Sequence, residues 1–200
     1  MNFFRRAAGT PHKLGILAGT FNPPTRAHLA LACAALAGAD EVLFVLPRAF
    51  PHKTYEGAGF AERVKMLAAA LEGEPRYSLA ATEQGLFIDI ARECRVEYGP
   101  ATELYFLCGR DAAERVIHWD YGHPGAIREQ LAEYQLLVAR REGEYQPPPE
   151  LRDRIHPLVV EEDWVSATEV RDRIRRGEPW EHLVPPAVAP LVRQFYTLAR

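Results

Sequence analysis

The sequence lacks the features that identify disulfide-rich, metal-binding, membrane-spanning and general nucleic-acid-binding proteins. Its three cysteines are odd in number and lack metal-ligand spacing, so we expect reduced thiols rather than a disulfide framework or a metal site. No apolar run reaches the roughly 18 residues that a membrane-spanning helix needs. The net charge of −3 lacks the basic excess of a general nucleic-acid binder. We therefore expect a cytoplasmic protein with neither nucleic acid nor membrane as a partner.

The N-terminal segment and the length of the chain limit the number of domains. Residues 1–13 contain two arginines but no apolar core, so we expect a short tail and no signal peptide. Two hundred residues suffice for one α/β domain with a full core and are few for two. We therefore predict a single domain over residues 14–200. A small negative net charge still permits a mononucleotide site, which needs only local positive charge.

A strand, a glycine turn and a helix are predicted near the N-terminus. Residues 14–18 form an apolar run short enough for one buried strand, and Gly19 permits a turn after it. Asn22-Pro23-Pro24 cannot be helical, because each proline restrains its own φ and disfavours the α region for its predecessor. Leucines and alanines at helical spacing follow as far as Gly38. A helix that begins just above a strand end offers N–H groups and a positive dipole, which suit a phosphate.

This segment resembles the first signature of the nucleotidylyltransferase superfamily, G-x-F-(D/N)-P-x-(H/T)-x-G-H, with two departures. Thr25 stands at the first histidine position, as in the pantetheine-phosphate branch, and Ala27 replaces the glycine before His28. The resemblance implies that His28 and Thr25 donate to phosphate oxygens. It also implies that a run of four residues contacts the nucleotide: Gly19, Thr20, Phe21 and Asn22. The alternative is a strand-turn-helix with an N-cap threonine and one surface histidine.

A polar loop follows the second predicted strand, which spans Glu41 to Leu46. Pro51-His52-Lys53 in this loop resembles the Pro-His-Lys loop of bacterial nicotinate-mononucleotide adenylyltransferases. The resemblance implies that Lys53 meets a phosphate as a point charge. A solvated lysine is the alternative.

The helix predicted from Leu86 to Tyr98 departs from the pattern of that family. The family has a T-(I/V)-D-T-L segment that lines the pyridine-ring pocket, whereas this chain has Phe87-Ile88-Asp89-Ile90-Ala91. Both threonines are replaced. The resemblance implies that Ile88 and Asp89 bind the acceptor substrate, and the departure leaves the identity of that acceptor open.

A further strand, predicted from Glu103 to Cys108, ends in Gly109-Arg110-Asp111. It resembles the F-(I/L)-x-G-x-D pattern of the family, which implies that Gly109 and Asp111 contact ATP. Trp119 lies eight residues after Asp111, where the family has a tryptophan beside the pyridine ring. A partly buried surface aromatic is the alternative for Trp119.

The second signature lies near the C-terminus, after predicted strands at 134–139 and 155–160. Ser166 and Glu169 have the spacing of a capping box, which predicts a helix start. The segment resembles I-S-S-T-x-(I/V)-R, with Ala167 in place of the second serine. The resemblance implies that Ser166 and Thr168 bind ATP phosphates and that Arg171 grips them with its bidentate fork.

Together these motifs imply a single Rossmann-like, doubly wound α/β domain with a parallel sheet. The resemblance implies adenylyl transfer from ATP to a pyridine mononucleotide, nicotinate mononucleotide first, in NAD biosynthesis. Mg²⁺ would travel with ATP, held by phosphates and water rather than by a dedicated cage. Two alternatives remain: a sister transferase using nicotinamide mononucleotide or phosphopantetheine, and a nucleotide-binding module without catalysis. The sequence does not indicate the oligomeric state.

Overall fold

The computed structural model describes residues 1–49, 57–139, 145–161 and 165–197. The strands are β1 (Asn2–Arg5), β2 (Lys13–Ala18), β3 (Glu41–Pro47), β4 (Tyr77–Thr82), β5 (Glu103–Cys108), β6 (Gln135–Ala139) and β7 (Ile155–Leu158). The helices are α1 (Arg26–Ala35), α2 (Phe60–Ala70), α3 (Phe87–Tyr98), α4 (Arg110–His118), α5 (Ala126–Glu133), α6 (Ala167–Arg176) and α7 (Ala189–Thr197). Single 3₁₀ turns span Pro149–Leu151 and Glu181–Leu183.

One sheet contains all seven of these strands, in the order β1-β4-β3-β2-β5-β6-β7. Strands β2 to β7 run parallel to one another, and β1 pairs antiparallel with β4. The chain proceeds outward from β2 to β3 and β4, then returns to the other side of β2 with β5. This reversal between β2 and β5 is the topological switch point of a doubly wound sheet, and it confirms the predicted fold class.

Helices cover both faces of the sheet, and strand β3 shows how the two layers are built. Leu43 and Val45 pack in one core cluster with residues of α3, α4 and α5. Phe44, between them, packs in a second cluster with residues of α1 and α2. Successive side chains of a strand point to opposite faces, so a strand covered on both faces is apolar throughout.

A third cluster fixes the C-terminal helices against α2. Met66 of α2, Val170 of α6 and Val192 of α7 are all fully buried within it. Helix α6 begins as the capping-box spacing predicts, since the Ser166 hydroxyl accepts from the Glu169 N–H at 3.0 Å. It ends at Gly177, whose φ of +69° lies in the left-handed region that favours glycine.

The structure differs from the expected N-terminal tail. Residues 2–5 form β1, which lengthens the sheet beyond β4. The Phe3 ring packs edge-on against Tyr98 with centroids 6.0 Å apart, and Arg5 donates to the Glu74 carbonyl at 2.7 Å. A strand of four residues is too short for its alternation to be recognised in sequence. Among the described residues, no helix is long and apolar enough to cross a membrane.

A buried carboxyl lies at the amino end of β3, on the side of the sheet opposite the switch-point strand ends. Glu41 is only 3% exposed, and it accepts a hydrogen bond from the Tyr98 hydroxyl at 2.6 Å. Burial disfavours the charged form and raises the pKa of the Glu41 carboxyl above its ordinary value. The folded chain therefore holds this proton to a higher pH than the unfolded chain.

The pH dependence of stability tests this burial. Because the pKa of Glu41 is higher in the folded chain than in the unfolded chain, its contribution to stability is fully present below the unfolded pKa. The contribution is lost as the pH rises through the folded pKa. Glu41→Gln keeps an acceptor for Tyr98 but cannot titrate. Between about pH 4 and pH 8, urea unfolding should show the wild type losing stability relative to Glu41→Gln. Glu72→Gln, at an exposed glutamate, is the control and should run parallel to the wild type. Parallel curves for Glu41→Gln would contradict the prediction.

Candidate active site

Two helices begin at the switch point, directly after neighbouring parallel strands. Gly19 follows β2 on the way to α1, and Gly109 follows β5 as the N-cap of α4. Strands β2 and β5 are adjacent, so both loops lie at the same edge of the sheet. Open α/β sheets bind ligands outside the carboxyl ends of their strands at this point, where helix N-termini favour anions.

A cavity of about 310 Å³ opens at this edge, and we term it the switch-point cavity. Six residues predicted for the site are among those that line it: Gly19, Thr20, His28, Gly109, Asp111 and Trp119. Motifs from both halves of the chain thus meet around one space. Of the other predicted residues, Phe21, Asn22 and Thr25 are buried and do not line it. Lys53 and its Pro-His-Lys loop lie outside the described residues.

The imidazole of His28 is oriented by the residue that caps its own helix. The Thr25 N–H donates to His28 Nδ1 at 3.0 Å, and Thr25 Oγ1 lies 2.7 Å from the same nitrogen. His28 thus occupies the place that glutamate or glutamine takes in a capping box. Because Nδ1 accepts a backbone hydrogen bond, the neutral ring has its proton on Nε2. The structure therefore defines His28 as an Nε2–H donor in the cavity wall.

Thr25 is placed differently from its expected role as a phosphate donor. Its side chain is fully buried, and Oγ1 lies 3.2 Å from the Val165 carbonyl oxygen as well as beside His28. It does not line the switch-point cavity. Thr25 is therefore a positioning residue, which holds His28 and joins the start of α1 to the segment before α6.

The Phe21 ring supports the histidine from below. It lies edge-on to the His28 ring with centroids 5.1 Å apart, and its backbone φ of 46° is unusual for a residue other than glycine. A Cβ at Gly19 would lie 3.2 Å from this ring, closer than ordinary packing allows. Glycine at position 19 therefore makes room for Phe21, in addition to permitting the turn.

The second signature docks onto the first through Arg171. Its Nη1 donates to the Asn22 carbonyl at 2.6 Å, and its Nη2 donates to Thr168 Oγ1 at 3.1 Å. The Tyr196 hydroxyl of α7 also donates to the Asn22 side chain. Ser166 and Thr168 are exposed at the start of α6 and do not line the switch-point cavity. They form a separate polar edge beside the first signature.

The structure does not bring the two predicted acceptor residues of α3 into the cavity wall. Ile88 is 7% exposed and belongs to the hydrophobic core, and Asp89 lies off the cavity. Phe87 lines the cavity instead, stacked on Phe106 with centroids 4.2 Å apart. The helix starts at Phe87, so the residue preceding Ile88 faces the open edge of the sheet while Ile88 faces inward.

Further residues belong to the site besides those named in the sequence motifs above. Arg63 of α2 is buried and donates to the Thr20 carbonyl at 3.1 Å, which fixes the loop after β2. Arg115 and Tyr121 line the cavity. Burial raises the pKa of Tyr121 to about 12, so this phenol is neutral at physiological pH. The apolar spacing of Ala112, Val116 and Trp119 was the available signal for an inward face of α4.

A metal cage built from protein side chains is not found in the part of the chain that the structure describes. No three His, Cys, Asp or Glu residues in it are grouped so that they could hold an ion. The cavity lining includes the cations Arg110 and Arg115 and the start of α4, which suit phosphate oxygens.

Comparison with known proteins defines the class. A family model described as cytidylyltransferase-like matches residues 16–173, so the chain belongs to the cytidylyltransferase-like family. The nicotinate-nucleotide adenylyltransferase of Bacillus subtilis is 30% identical over 193 residues, covering 91% of this chain and 96% of the relative. A relative from Moorella thermoacetica, named as a probable nicotinate-nucleotide adenylyltransferase, is 32% identical over 92% of this chain and 90% of its own length.

Solved structures show the same fold at much lower sequence identity. The nicotinic acid mononucleotide adenylyltransferase of Plasmodium falciparum, complexed with NaAD, superposes with a TM-score of 0.69. It is 15% identical, and the match covers 91% of this chain and 95% of that one. At this identity the likeness establishes the architecture alone.

Loss of the Arg171 fork should lower stability, because both of its described hydrogen bonds depend on the shape of the guanidinium. Arg171→Lys should lower the free energy of unfolding by about 1–2 kcal/mol in urea titrations. Arg175→Lys is the matched control on the same helix. Its arginine is exposed and pairs with Asp172, so the change should stay within about 0.5 kcal/mol. Equal effects of the two substitutions would show that the tie to Asn22 does not stabilise the fold.

Proposed function

We propose that the protein transfers the adenylyl group of ATP to nicotinate mononucleotide, releasing pyrophosphate and forming nicotinate adenine dinucleotide. The observation that supports this most directly is the Nε2–H of His28 in a cavity at the switch point, between the starts of α1 and α4. The names of the curated relatives support the same reaction.

The reaction needs no nucleophile from the protein. The 5′-phosphate of the acceptor is an anion at neutral pH, and one of its oxygens forms a bond to the α-phosphorus of ATP. The bond from that phosphorus to the bridging oxygen breaks, and pyrophosphate leaves with the electron pair. Catalysis therefore depends on positioning and on stabilising the negative charge that spreads over the phosphoryl oxygens. His28 Nε2–H donates to this charge at the α-phosphate.

The β- and γ-phosphates are held at the start of α6. Ser166 Oγ accepts from the Glu169 N–H, which leaves its own proton for a phosphate oxygen. Thr168 Oγ1 accepts from Arg171, so its proton is likewise directed outward. The Arg171 cation neutralises part of the pyrophosphate as it leaves. Mg²⁺ carried with ATP would supply further charge neutralisation, and phosphate oxygens and water would hold it.

The acceptor ring lies between the aromatic residues of the cavity. Phe87, Trp119 and Tyr121 all line the cavity, and their faces and edges suit a pyridine ring. Two sequence features favoured the alternative acceptors, nicotinamide mononucleotide and phosphopantetheine. They are the threonine at position 25 and the replacement of both threonines around Asp89. The buried position of Thr25 weakens the first of these arguments, because the side chain does not line the cavity.

A pyrophosphate-release assay with a panel of acceptors tests the function. With ATP and Mg²⁺, kcat/KM should be highest for nicotinate mononucleotide. Nicotinamide mononucleotide and phosphopantetheine are the competing acceptors, and CTP in place of ATP is the control for the donor. Preference for another acceptor would assign the chain to a sister transferase, and release with none would favour a binding module.

Removal of the His28 donor should reduce the rate of the chemical step. His28→Ala should lower kcat by about 10²–10³, the range for one preorganised donor to a developing charge. His156→Ala, on the edge strand β7, is a matched control that should leave kcat unchanged. Circular dichroism would establish that both variants fold. Near-normal turnover by a folded His28→Ala protein would exclude the histidine from the mechanism.

Thr25 should affect the rate through the orientation of His28. Thr25→Val removes Oγ1 but keeps the backbone N–H that bonds to Nδ1, so kcat should fall by roughly tenfold, about 1.4 kcal/mol, a smaller loss than in His28→Ala. Thr25→Ser restores the hydroxyl and should restore most of the rate. The losses in kcat from Thr25→Val and His28→Ala should not add in the double variant, because the threonine acts through the histidine. Full additivity would show that Thr25 acts on the substrate directly.

A further inference from the structure

The last helix of the chain contacts the loop that contains the first signature. Tyr196, near the end of α7, donates its hydroxyl proton to Asn22 Oδ1, 174 residues earlier in the chain. Asn22 is only 4% exposed, so this hydrogen bond is shielded from water and is electrostatically stronger than it would be in solvent. Burial raises the pKa of the Tyr196 phenol above its ordinary value. The hydroxyl therefore remains a donor at physiological pH.

The backbone of the segment before α2 encloses this hydrogen bond. A Cβ at Gly57 would lie 3.1 Å from the Tyr196 ring and 3.2 Å from Asn22 Oδ1, closer than ordinary packing allows. The φ of +98° at Gly57 also lies in the region that favours glycine. The backbone of Ala58 forms a further hydrogen bond with the phenol. The side chains of Tyr196 and Asn22 are thus confined to one mutual arrangement.

Asn22 connects Tyr196 to the arginine of the second signature. Its carbonyl accepts from Arg171 Nη1 at 2.6 Å, while Arg171 Nη2 donates to Thr168 Oγ1 at 3.1 Å. A guanidinium is planar, so two hydrogen bonds fix its plane and the directions of its remaining N–H groups. The Arg171 charge also acts on the phenol, where it partly opposes the effect of burial on the pKa. A chain of contacts therefore joins the hydroxyl of α7 to the cation of α6.

We propose that Tyr196 is a positioning residue for ATP, which holds the Arg171 guanidinium, through Asn22, in the orientation that binds the β- and γ-phosphates. This inference rests on the proposed function, which assigns these phosphates to the start of α6. Tyr196 acts only through Asn22 and Arg171 and contacts neither substrate. Its hydroxyl therefore contributes to the binding of ATP and not to the binding of the acceptor.

The first test removes the hydroxyl and keeps the ring. The Kd for ATP is measured by titration calorimetry with Mg²⁺ present and no acceptor. In Tyr196→Phe it should rise about threefold to tenfold, the range for one hydrogen bond of ordinary net strength. The KM for nicotinate mononucleotide at saturating ATP should stay unchanged, because no described residue of α7 lines the switch-point cavity.

Tyr98→Phe is the matched control. It also removes a tyrosine hydroxyl from a buried acceptor, Glu41, at the opposite edge of the sheet. Urea unfolding should show that Tyr98→Phe and Tyr196→Phe both lose stability, whereas the Kd for ATP should rise only in Tyr196→Phe. A general loss of stability would therefore not reproduce the expected result.

Two further variants test the route from Tyr196 to ATP. Arg171→Lys should itself raise the Kd for ATP, and adding Tyr196→Phe to it should raise the Kd little further, because the tyrosine acts through the arginine. Gly57→Ala disturbs the same hydrogen bond by crowding and should also weaken ATP binding. Gly59→Ala is its control, since a Cβ there would meet Glu62 Oε2 at 3.6 Å, an ordinary contact.

The outcomes separate this inference from the proposed function. Wild-type affinity for ATP in Tyr196→Phe overturns the inference, as it does in Gly57→Ala if the first variant fails to fold. Full additivity with Arg171→Lys also overturns it, because Tyr196 would then act by another route. If the wild type binds ATP but releases pyrophosphate with no acceptor, the proposed function fails and the Kd values still decide the inference. A wild type that binds no ATP would overturn both.

Discussion

The site depends on the docking of the second signature onto the first. Arg171 and the Asn22 carbonyl that it contacts are 149 residues apart in the chain, and Thr25 and Val165 are 140 apart. These contacts hold the start of α6 beside the loop after β2, so that the two signatures lie together although they come from opposite ends of the chain. The ordering entropy of such distant contacts is offset by the core that α2, α6 and α7 share around Met66. The geometry of the two signatures is therefore a property of the whole fold.

The strands could be predicted where burial on both faces produces apolar runs. β2, β3 and β5 are of this kind, and their predicted bounds agree with the structure to within one residue. Helices α4 and α5 were not predicted, because charged and small residues interrupt their apolar stripes. The order of the strands could not be obtained from local patterns, since pairing depends on which helices cover which face. The motifs indicated the position of the site because they follow β2 and β5, and these two strands are neighbours in the sheet.

The roles of individual site residues were harder to predict than their presence. His28 and Gly19 were found by their motif, and the structure places both in the cavity wall. Thr25 caps α1, as the alternative interpretation of the sequence had it, but no local pattern could reveal its contact with Val165, which lies far along the chain. Ile88 was assigned by analogy with a segment whose threonines this chain lacks. The helix starts at Phe87, and Phe87 rather than Ile88 lines the cavity.

The four residues of β1 also protect the chain against aggregation. Every residue of β4 is buried, yet without β1 this strand would be the edge of the sheet, with an open row of backbone donors and acceptors. Apolar edge strands of this kind pair readily with other chains. β1 pairs with these backbone groups of β4 and becomes the edge strand itself. It is shorter than β4 and includes Arg5, and charged residues on an edge strand discourage such pairing. The other edge strand, β7, contains Pro157, which lacks the N–H that a pairing strand would need. Both edges of the sheet thus resist the addition of a further strand.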